Sequence, residues 1–493
     1  MFILRRFYVA PKHNFFIKKT DLRKCNHGNC NDITTKTSES CGTSFEILEG
    51  KMECNVINGM HLISEYKRES FVTTIGCLLP AGTMFEKSHE RGSALFLEHL
   101  LFQRGTQKSP LQIEQELQEI GGTVTANAMR DMFVFYGTVP SHNAGKLAEL
   151  LIDVAINGVT CTTDVKLAKS RILNELIKID SNPERVAMDY LSSIAYQDTA
   201  LAKSVFPESH IIKNFETSSL TCFRKRVFKP HFITLISSGA LSSEELQTLV
   251  CKHIVKNPQE TYDCELESFS KCLKLKQLRF SGSDLRLRDD DEELGYVAIG
   301  FEGPTFSPNQ CKDRYAFEVA KEIVGSWDMT YGGANHNAPY LAHSAFNTNT
   351  CHLYKSFILD YACNSIWGCY FVCDKLKLST MVDMLMSEWR RLCTTITDAE
   401  VERAVNKCKF HELVKLNDPV DRFLDIVNCI YLRNCYKPMN ERLAMYEEIT
   451  ANAVREAAAK YIYDQSPAVV ALGRIENLTD YSAIHSGTYS FFY

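Results

Sequence analysis

The sequence lacks two features that would define a class of protein at once: a long apolar run and a marked excess of charge of one sign. Its longest apolar runs, such as residues 71–80 with two threonines inside, are short compared with the ~20 residues that a membrane-spanning helix needs. The net charge is only −5 over 493 residues, with no basic stripe beyond the N-terminus, so nothing favours binding to nucleic acid. We therefore expect a globular chain of at least two domains that contacts a membrane only through partners.

Cysteine is abundant instead, with nineteen residues scattered over the chain. Cys369 and Cys373 lie on a β-rich run typical of a buried strand, where free thiols behave as small hydrophobic side chains. Cys25 and Cys30, with His27 between them, could bind a metal in principle, but no second pair of ligands accompanies them. We therefore expect mostly free cysteines that serve in packing.

The N-terminal two dozen residues are basic, with Asp21 as their single acid and Phe, Ile and Leu interleaved among the cations. This composition is typical of a mitochondrial transit peptide, although a merely basic, disordered N-terminus is the alternative. We predict a transit peptide and linker over residues 1–44. The cations are Arg5, Arg6, Lys12, Lys18, Lys19, Arg23 and Lys24.

Two parts of the chain resemble each other, which indicates an internal duplication. Residues 160–178 and 397–415 run in step: Thr and Asp open each predicted helix, and a proline follows its end. In the second copy Thr397 and Glu400 have the spacing of a capping box. The predicted domains are residues 45–255 and 280–493, joined by a polar linker over 256–279.

Two further pairs of segments support the duplication. Residues 227–239 and 461–473 each predict a helix end, a turn and a buried strand closed by glycine, and residues 72–78 weakly parallel 297–301. The mixture of strands and long helices predicts an α+β fold: two homologous domains, each a mostly antiparallel sheet packed with helices. We also expect a helix ending near Asp328, followed by a turn at the glycine stretch 332–335.

The motif that carries chemistry lies in residues 91–106, which resemble the inverted zinc motif H-x-x-E-H on a helix. In that motif two histidines one turn apart hold zinc, and the glutamate acts as general base. Here Glu98 and His99 remain, but Leu95 stands at the first histidine. His89 is ten residues from His99 and does not have the required spacing. Taken alone, Glu98 and His99 could also be a chance polar pair in a core.

The residues around the motif resemble the pitrilysin/insulysin family of metallopeptidases. Within it, the resemblance over residues 45–493 is to the group formed by processing-peptidase β subunits of mitochondria and core protein 1 of respiratory complex III. The resemblance implies a third ligand about 75 residues after the motif, which is Glu175. It therefore implies His99 and Glu175 as remaining metal ligands and Glu98 as a vestigial general base. Other matching segments are 96–100 with 105–106, 325–328 followed by 331–335, 367–374 and 400–404.

Several departures from the family pattern lie where that family does its chemistry. Ala168 stands where a second glutamate is usual, and Lys178 and Arg185 stand at positions of acids. Asp189 keeps an acid that the resemblance implies in binding basic substrate peptides. A cation in place of an anion reverses the attraction for a basic peptide. Thr125 also departs from the usual asparagine of the substrate-side strand.

These departures favour a core-protein-1-like structural subunit of complex III, without peptidase activity and with no cofactor. Its expected location is the matrix face of the mitochondrial inner membrane. Its expected partners are core protein 2 or an α-type processing-peptidase subunit, together with other complex III subunits. The alternative is an active processing-peptidase β subunit, which would hold zinc and remove presequences. A peptide-binding module without cleavage is a third hypothesis.

Overall fold

The structure is a computed structural model that describes residues 49–57, 59–103, 108–158, 160–253, 278–330, 339–433 and 435–489. The predicted transit peptide, the cluster of Cys25, His27 and Cys30, nearly all of the predicted linker and the glycine stretch 332–335 lie outside these residues. All elements below belong to one compact unit that begins at Ile47.

The first half of the described chain forms a six-stranded sheet in the order β1-β2-β6-β3-β5-β4, in which β2 and β6 are parallel and the other neighbours are antiparallel. The strands are β1 Lys51–Ile57, β2 Met60–Tyr66, β3 Val72–Leu79, β4 Thr123–Ala128, β5 Phe133–Pro140 and β6 Thr234–Gly239. The helices are α1 Ser93–Leu100, α2 Pro110–Ile120, α3 Ala144–Asn157, α4 Thr162–Asp180, α5 Pro183–Ala195, α6 Ser209–Asn214, α7 Thr217–Val227 and α8 Ser243–His253.

The second half repeats this plan with a six-stranded sheet in the order β7-β12-β8-β11-β10-β9, in which β7 and β12 are parallel. The strands are β7 Ser283–Arg288, β8 Leu294–Gly303, β9 Ser326–Asp328, β10 Cys351–Asp360, β11 Ser365–Asp374 and β12 Ala468–Gly473. The helices are α9 Cys311–Val324, α10 Tyr340–Thr348, α11 Leu378–Thr394, α12 Asp398–Val414, α13 Pro419–Arg433, α14 Met439–Glu447, α15 Ala451–Tyr461 and α16 Tyr481–Tyr489.

The two sheets confirm the predicted α+β fold and its duplication. Strands β6 and β12 come from the paired segments 227–239 and 461–473, and both are buried along their whole length. Each lies between a parallel and an antiparallel neighbour, so the two occupy equivalent places. Strands β3 and β8, from the weaker pair, are also equivalent: each lies antiparallel beside β6 or β12.

Local signals place the paired helices correctly. The hydroxyl of Thr397 accepts the backbone N–H of Glu400, whose carboxylate accepts the N–H of Thr397, so the capping box is present. At the start of α4, by contrast, Cys161 makes no side-chain cap. Pro183 and Pro419 begin α5 and α13, the position where proline costs no helical hydrogen bond.

Helices α5 and α13 pack reciprocally on the sheet of the other half: α5 on β7, β8 and β12, and α13 on β3 and β6. A side chain at Gly76 in β3 would collide with the ring of Phe423 from α13, with its Cβ 2.6 Å from Cζ. At Gly300 in β8, an added Cβ would lie 2.6 Å from Cγ2 of Ile366 on the neighbouring strand and 3.3 Å from Cδ2 of Leu191 of α5. Gly76 therefore makes room in the first sheet for the helix of the other half.

This exchange produces three apolar clusters. Two lie within the halves, between each sheet and its own helices, and the third lies between the halves. The shared cluster combines both sheets with α5 and α13, from which Leu191, Ile194, Phe423 and Ile426 are buried in it. The halves consequently form one interlocked body, which accords with the single compact unit.

One local prediction is wrong. The helix before Asp328 ends already at Val324, because Gly325 follows it with a φ of +69°, and residues Ser326–Asp328 form the edge strand β9. Trp327 of this strand is buried in the core of the second half and pairs with Tyr354 of β10. Burial of the Trp327 indole against distant segments of the chain favours a strand here over a continued helix.

Of the fourteen described cysteines, seven are buried in packing and the other seven are partly or fully exposed. Cys369 and Cys373 lie on β11 and are fully buried, and burial is the leading cause of the raised pKa of the Cys369 thiol. The fourteen cysteines found in the described part of the chain are free thiols. Over the same residues, no helix combines the length and the apolar character that crossing a membrane requires.

Candidate functional site

Helix α1 carries the motif, and its first turn is held by a buried carboxylate. Glu86 accepts the backbone N–H groups of Gly92 at 3.0 Å and of Ala94 at 2.7 Å. Free N–H groups at a helix N-terminus favour such an acceptor. Phe96, on the buried face of α1, stacks on Phe215 with 3.9 Å between ring centroids. Helix α1 is thus fixed at its start and along its apolar face.

The structure brings together the two residues that the resemblance implies as remaining metal ligands. Nε2 of His99 lies 2.9 Å from Oε2 of Glu175, although the two are far apart in sequence. The contact lacks hydrogen-bond geometry, and among the described residues this buried nitrogen has no other hydrogen-bond partner. Contact with His99 is the leading cause that lowers the pKa of Glu175. The arrangement is a close contact between the imidazole of α1 and the carboxylate of α4.

Glu98, the implied general base, points to the edge of the first sheet. Its Oε2 accepts the backbone N–H of Ala128, the last residue of β4, at 2.9 Å. Burial raises the pKa of Glu98, and the neighbouring carboxylate of Glu175 adds to the rise, while His99 and Arg185 oppose it. One oxygen of the carboxylate is therefore engaged in joining α1 to the edge strand.

Leu95 occupies the place of the first histidine as a core residue. Its side chain is 2% exposed and belongs to the apolar cluster of the first half. A catalytic zinc requires three protein ligands beside its water, and a leucine side chain offers no donor atom. Within the described ranges, no cluster of three or more His, Cys, Asp and Glu side chains has the arrangement of a metal site. The residues present therefore do not fit a catalytic zinc.

Arg185 places a positive charge beside the same carboxylates. It lies in the first turn of α5, and its Cζ lies 4.4 Å above the centroid of the Phe206 ring. Burial lowers the pKa of Arg185, whereas the electrostatic influence of Glu175, Glu98 and Asp189 opposes that shift. The site thus contains a cation that is stacked on an aromatic ring.

Asp189, implied by the resemblance in binding a basic peptide, lies one turn further along α5 and is already paired. Its Oδ1 lies 2.6 Å from Nη2 of Arg130, and the same nitrogen donates to its backbone carbonyl. Arg130 is buried and also donates to the carbonyl oxygens of Leu201 and Lys203. An incoming peptide cation would therefore compete with an internal arginine for this carboxylate.

Sequence reasoning located Glu98, His99 and Glu175 but missed the roles of Arg130 and Phe206. Arg185 and Asp189 are four residues apart after a helix-starting proline, a spacing that places both on one side of α5. No comparable sequence signal connects Arg130 to Asp189. His89 is 66% exposed and interacts with Glu90, which agrees with its rejection as a ligand.

Comparison with protein families gives two matches in succession. Residues 61–208 match the family described as insulinase (peptidase family M16), and residues 214–408 match the peptidase M16 inactive domain. Together the two matches cover more than half of the chain, and both halves of the fold are represented.

Individual relatives match over most of their length. The mitochondrial-processing peptidase subunit beta of Bos taurus is 30% identical over 450 residues, covering 91% of this chain and 89% of that protein. The human cytochrome b-c1 complex subunit 1, mitochondrial, is 31% identical over 461 residues, covering 93% and 94%. A chain of Complex III2 from Candida albicans, Inz-5 bound, superposes with a TM-score of 0.76 at 20% identity, covering 88% and 99%, and so shares the fold.

The fold and the site define a duplicated peptidase-type protein: two mixed sheets with exchanged helices, and a motif helix opposite Glu175. The matches over both halves then assign the family: the chain belongs to the insulinase peptidases, family M16.

Proposed function

We propose that this chain is a core-protein-1-like structural subunit of mitochondrial respiratory complex III, without peptidase activity and without a bound cofactor. The matrix face of the inner membrane is its proposed location. Core protein 2, or an α-type processing-peptidase subunit, is its proposed partner beside other complex III subunits. The relatives support this proposal, because one group of them is named as a subunit of the cytochrome b-c1 complex.

The observation that carries the proposal is the burial of Leu95 in the apolar core. A buried leucine of the core stands at the position from which the resemblance implies a zinc ligand. Replacing a donor by a packed apolar side chain removes the metal-binding function and turns the position into part of the helix packing. Arg185 and the Arg130–Asp189 pair also support a protein without peptidase activity, because both place cations where a basic peptide would need anions.

The second candidate is an active β subunit of a mitochondrial processing peptidase, a zinc enzyme that removes presequences. It is favoured by the convergence of Glu98, His99 and Glu175 and by relatives that bear this name. In this candidate zinc would be held by His99 and Glu175. The proposed domain limits, 45–255 and 280–493 around a linker, are common to both candidates.

Native-gel mass spectrometry of mitochondria that express the tagged chain tests the proposal. Co-migration with cytochrome b–c subunits in near-stoichiometric amount is the expected result. Migration as a small heterodimer with an α-type processing-peptidase subunit would overturn it.

A matched pair of variants separates assembly from chemistry. Glu98→Gln removes the implied general base while it keeps the size of the side chain, and Glu114→Gln, on the exposed side of α2, is its control. We expect both variants to enter complex III like the wild type and to leave presequence removal unchanged. Accumulation of unprocessed precursors with Glu98→Gln alone would favour the peptidase.

A further inference from the structure

Strands β10 and β11 of the second half carry two cysteines that lie directly opposite each other. The register of this antiparallel pair places Cys351, the first residue of β10, beside Cys373 near the end of β11. Directly opposed residues in such a pair have Cα atoms roughly 4.5–5.5 Å apart, and their side chains share one face of the sheet. A disulfide spans Cα separations of roughly 4.4–6.8 Å, so the backbone already holds the two thiols within bonding range.

A bulge in β10 turns Cys351 towards the same core as Cys373. The next pair in the register after these two joins Leu353 to Val372, so His352 between them has no cross-strand partner. Side chains alternate along a regular strand, and the extra residue of a bulge shifts that alternation. Both cysteines consequently lie in the apolar core of the second half, with exposed fractions of 2% and 0%.

The electrostatics of the pair agree with this placement. The leading cause that raises the pKa of the Cys373 thiol is a hydrogen bond with the side chain of Cys351, and burial adds to the rise. Cys373 therefore keeps its proton, and the sulfur of Cys351 is left to act as the nucleophile. Cys369, the other buried cysteine of β11, lies opposite Ser356 and Ile299 in the register and so has no cysteine beside it.

The pair lies at the open end of the hairpin, away from the turn that joins the two strands. The edge strand β9 pairs with β10 only over residues 353–355, so its ladder stops short of Cys351. The chain neighbours of the two cysteines are half-exposed: Nε2 of His352 lies 2.9 Å from Oδ1 of Asp374. Strand ends open more readily than strand centres, so hydrogen peroxide, a molecule little larger than water, needs only a local opening to reach the thiols.

We propose that Cys351 and Cys373 are a redox-sensitive pair that a small hydroperoxide closes to a cross-strand disulfide. The sulfur of Cys351 attacks one oxygen of hydrogen peroxide: an S–O bond forms, the O–O bond breaks, and the second oxygen leaves as water with the proton that the thiol gave up. The sulfur of Cys373 then attacks the sulfenic acid, the S–S bond forms, and the S–O bond breaks with release of a second water. The two thiols lose two electrons and two protons, and the peroxide is reduced to two molecules of water.

The disulfide locks the open end of β10 and β11 beside the edge strand β9. This inference goes beyond the proposed function, because the two cysteines lie in the core of the second half and take no part in the motif of α1. It holds whether or not the chain enters complex III.

The test is oxidation of the purified full chain by hydrogen peroxide. The remaining thiols are alkylated in urea, the protein is digested without reduction, and the peptides are identified by mass spectrometry. We expect the peptides of Cys351 and Cys373 to be joined in most of the molecules, and dithiothreitol to restore both thiols. Cys369→Ser is the matched control and should form the same disulfide to the same extent, whereas Cys351→Ser should lose it. If Cys351→Ser does not fold, Cys373→Ser gives the same comparison.

Recovery of both cysteines in alkylated form after oxidation would overturn the proposal, and so would a Cys373 peptide joined mainly to another cysteine. Amide hydrogen exchange reports the effect on the strands. The amides of Leu353 and Val372 should exchange more slowly in the oxidised wild type than in the reduced protein, and peroxide should cause no such slowing in Cys351→Ser. Faster exchange in the oxidised wild type would show that the bond strains the strands and would contradict the geometric fit.

Discussion

Arg422 of α13 and Glu65 of β2, which belong to different halves of the chain, form a buried ion pair. Nη2 of Arg422 lies 2.8 Å from Oε1 of Glu65, and the two side chains are 2% and 0% exposed. Ser238 donates its hydroxyl to the other oxygen of Glu65 at 2.7 Å. From Arg422 the charges continue to Asp425, which accepts two hydrogen bonds from Arg442. The exchange of helices thus includes a buried polar connection beside the shared apolar cluster.

Breaking this pair is expected to destabilise the whole body. Arg422→Leu leaves Glu65 buried without its main partner, and loss of one member of a buried ion pair costs about 3–5 kcal/mol. Urea denaturation should show this as a lower unfolding midpoint. Lys51→Leu, which breaks an exposed pair with Glu53, is the control and should leave the midpoint almost unchanged, because solvent screens that pair. A variant that loses both Glu65 and Arg422 should be less damaged than Arg422→Leu; greater damage would contradict the role of the unpaired charge.

Neither half is expected to fold alone. Residues 45–255 expressed separately would expose the face of β3 and β6 that α13 covers, and would leave α5 without the second sheet. Exposed apolar surface of this kind leads to aggregation or to a loosely packed state. Circular dichroism and thermal unfolding of the half-chain should show no cooperative transition, whereas co-expression with residues 280–493 should restore one. A cooperative transition in the isolated half would refute the interlocked arrangement.

Leu95 should behave as a core residue. Leu95→Ala removes buried methyl groups beside the sheet of the first half and is expected to cost about 2–5 kcal/mol of unfolding free energy. Leu111→Ala, at a 63% exposed position of α2, is the matched control and should change it by less than about 0.5 kcal/mol. Chemical denaturation of both variants gives the comparison, and a cost for Leu95→Ala as small as the control would mean that the position is not packed.

Glu86 should make stability depend on pH near neutrality. Burial raises its pKa to about 7, although the N–H groups of Ala94 and Gly92 and the charge of Lys203 oppose the rise. Because the folded state binds this proton more tightly, the contribution to stability is full below the unfolded pKa of about 4.5 and is lost as pH rises through about 7. The unfolding free energy of wild type minus that of Glu86→Gln should therefore fall from about pH 5 to about pH 8.

The exposed Glu114→Gln variant controls for the loss of a carboxylate as such. A difference between wild type and Glu86→Gln that rises with pH would contradict a raised pKa at Glu86.

The sequence by itself determined the elements and their duplication. Three signals in the sequence are local: the periodicity, the Thr397–Glu400 capping box and the strand-ending glycines. Each depends on a few neighbouring residues, so it can be recognised without knowing how the chain packs. The motif on α1 was visible for the same reason: Leu95, Glu98 and His99 lie within about one turn of a single helix. Glu175 was found by its resemblance to a family position and not by any local pattern.

Only the tertiary structure shows which distant residues these side chains contact. The bond between Arg422 and Glu65 joins residues 357 positions apart, and His99 meets Glu175 through the approach of two helices. The edge strand at Trp327 likewise depends on a core built from distant segments. The strength of such contacts depends on burial, which removes apolar surface from water and weakens the screening between paired charges. Burial is a property of the packed chain and has no periodicity in the sequence.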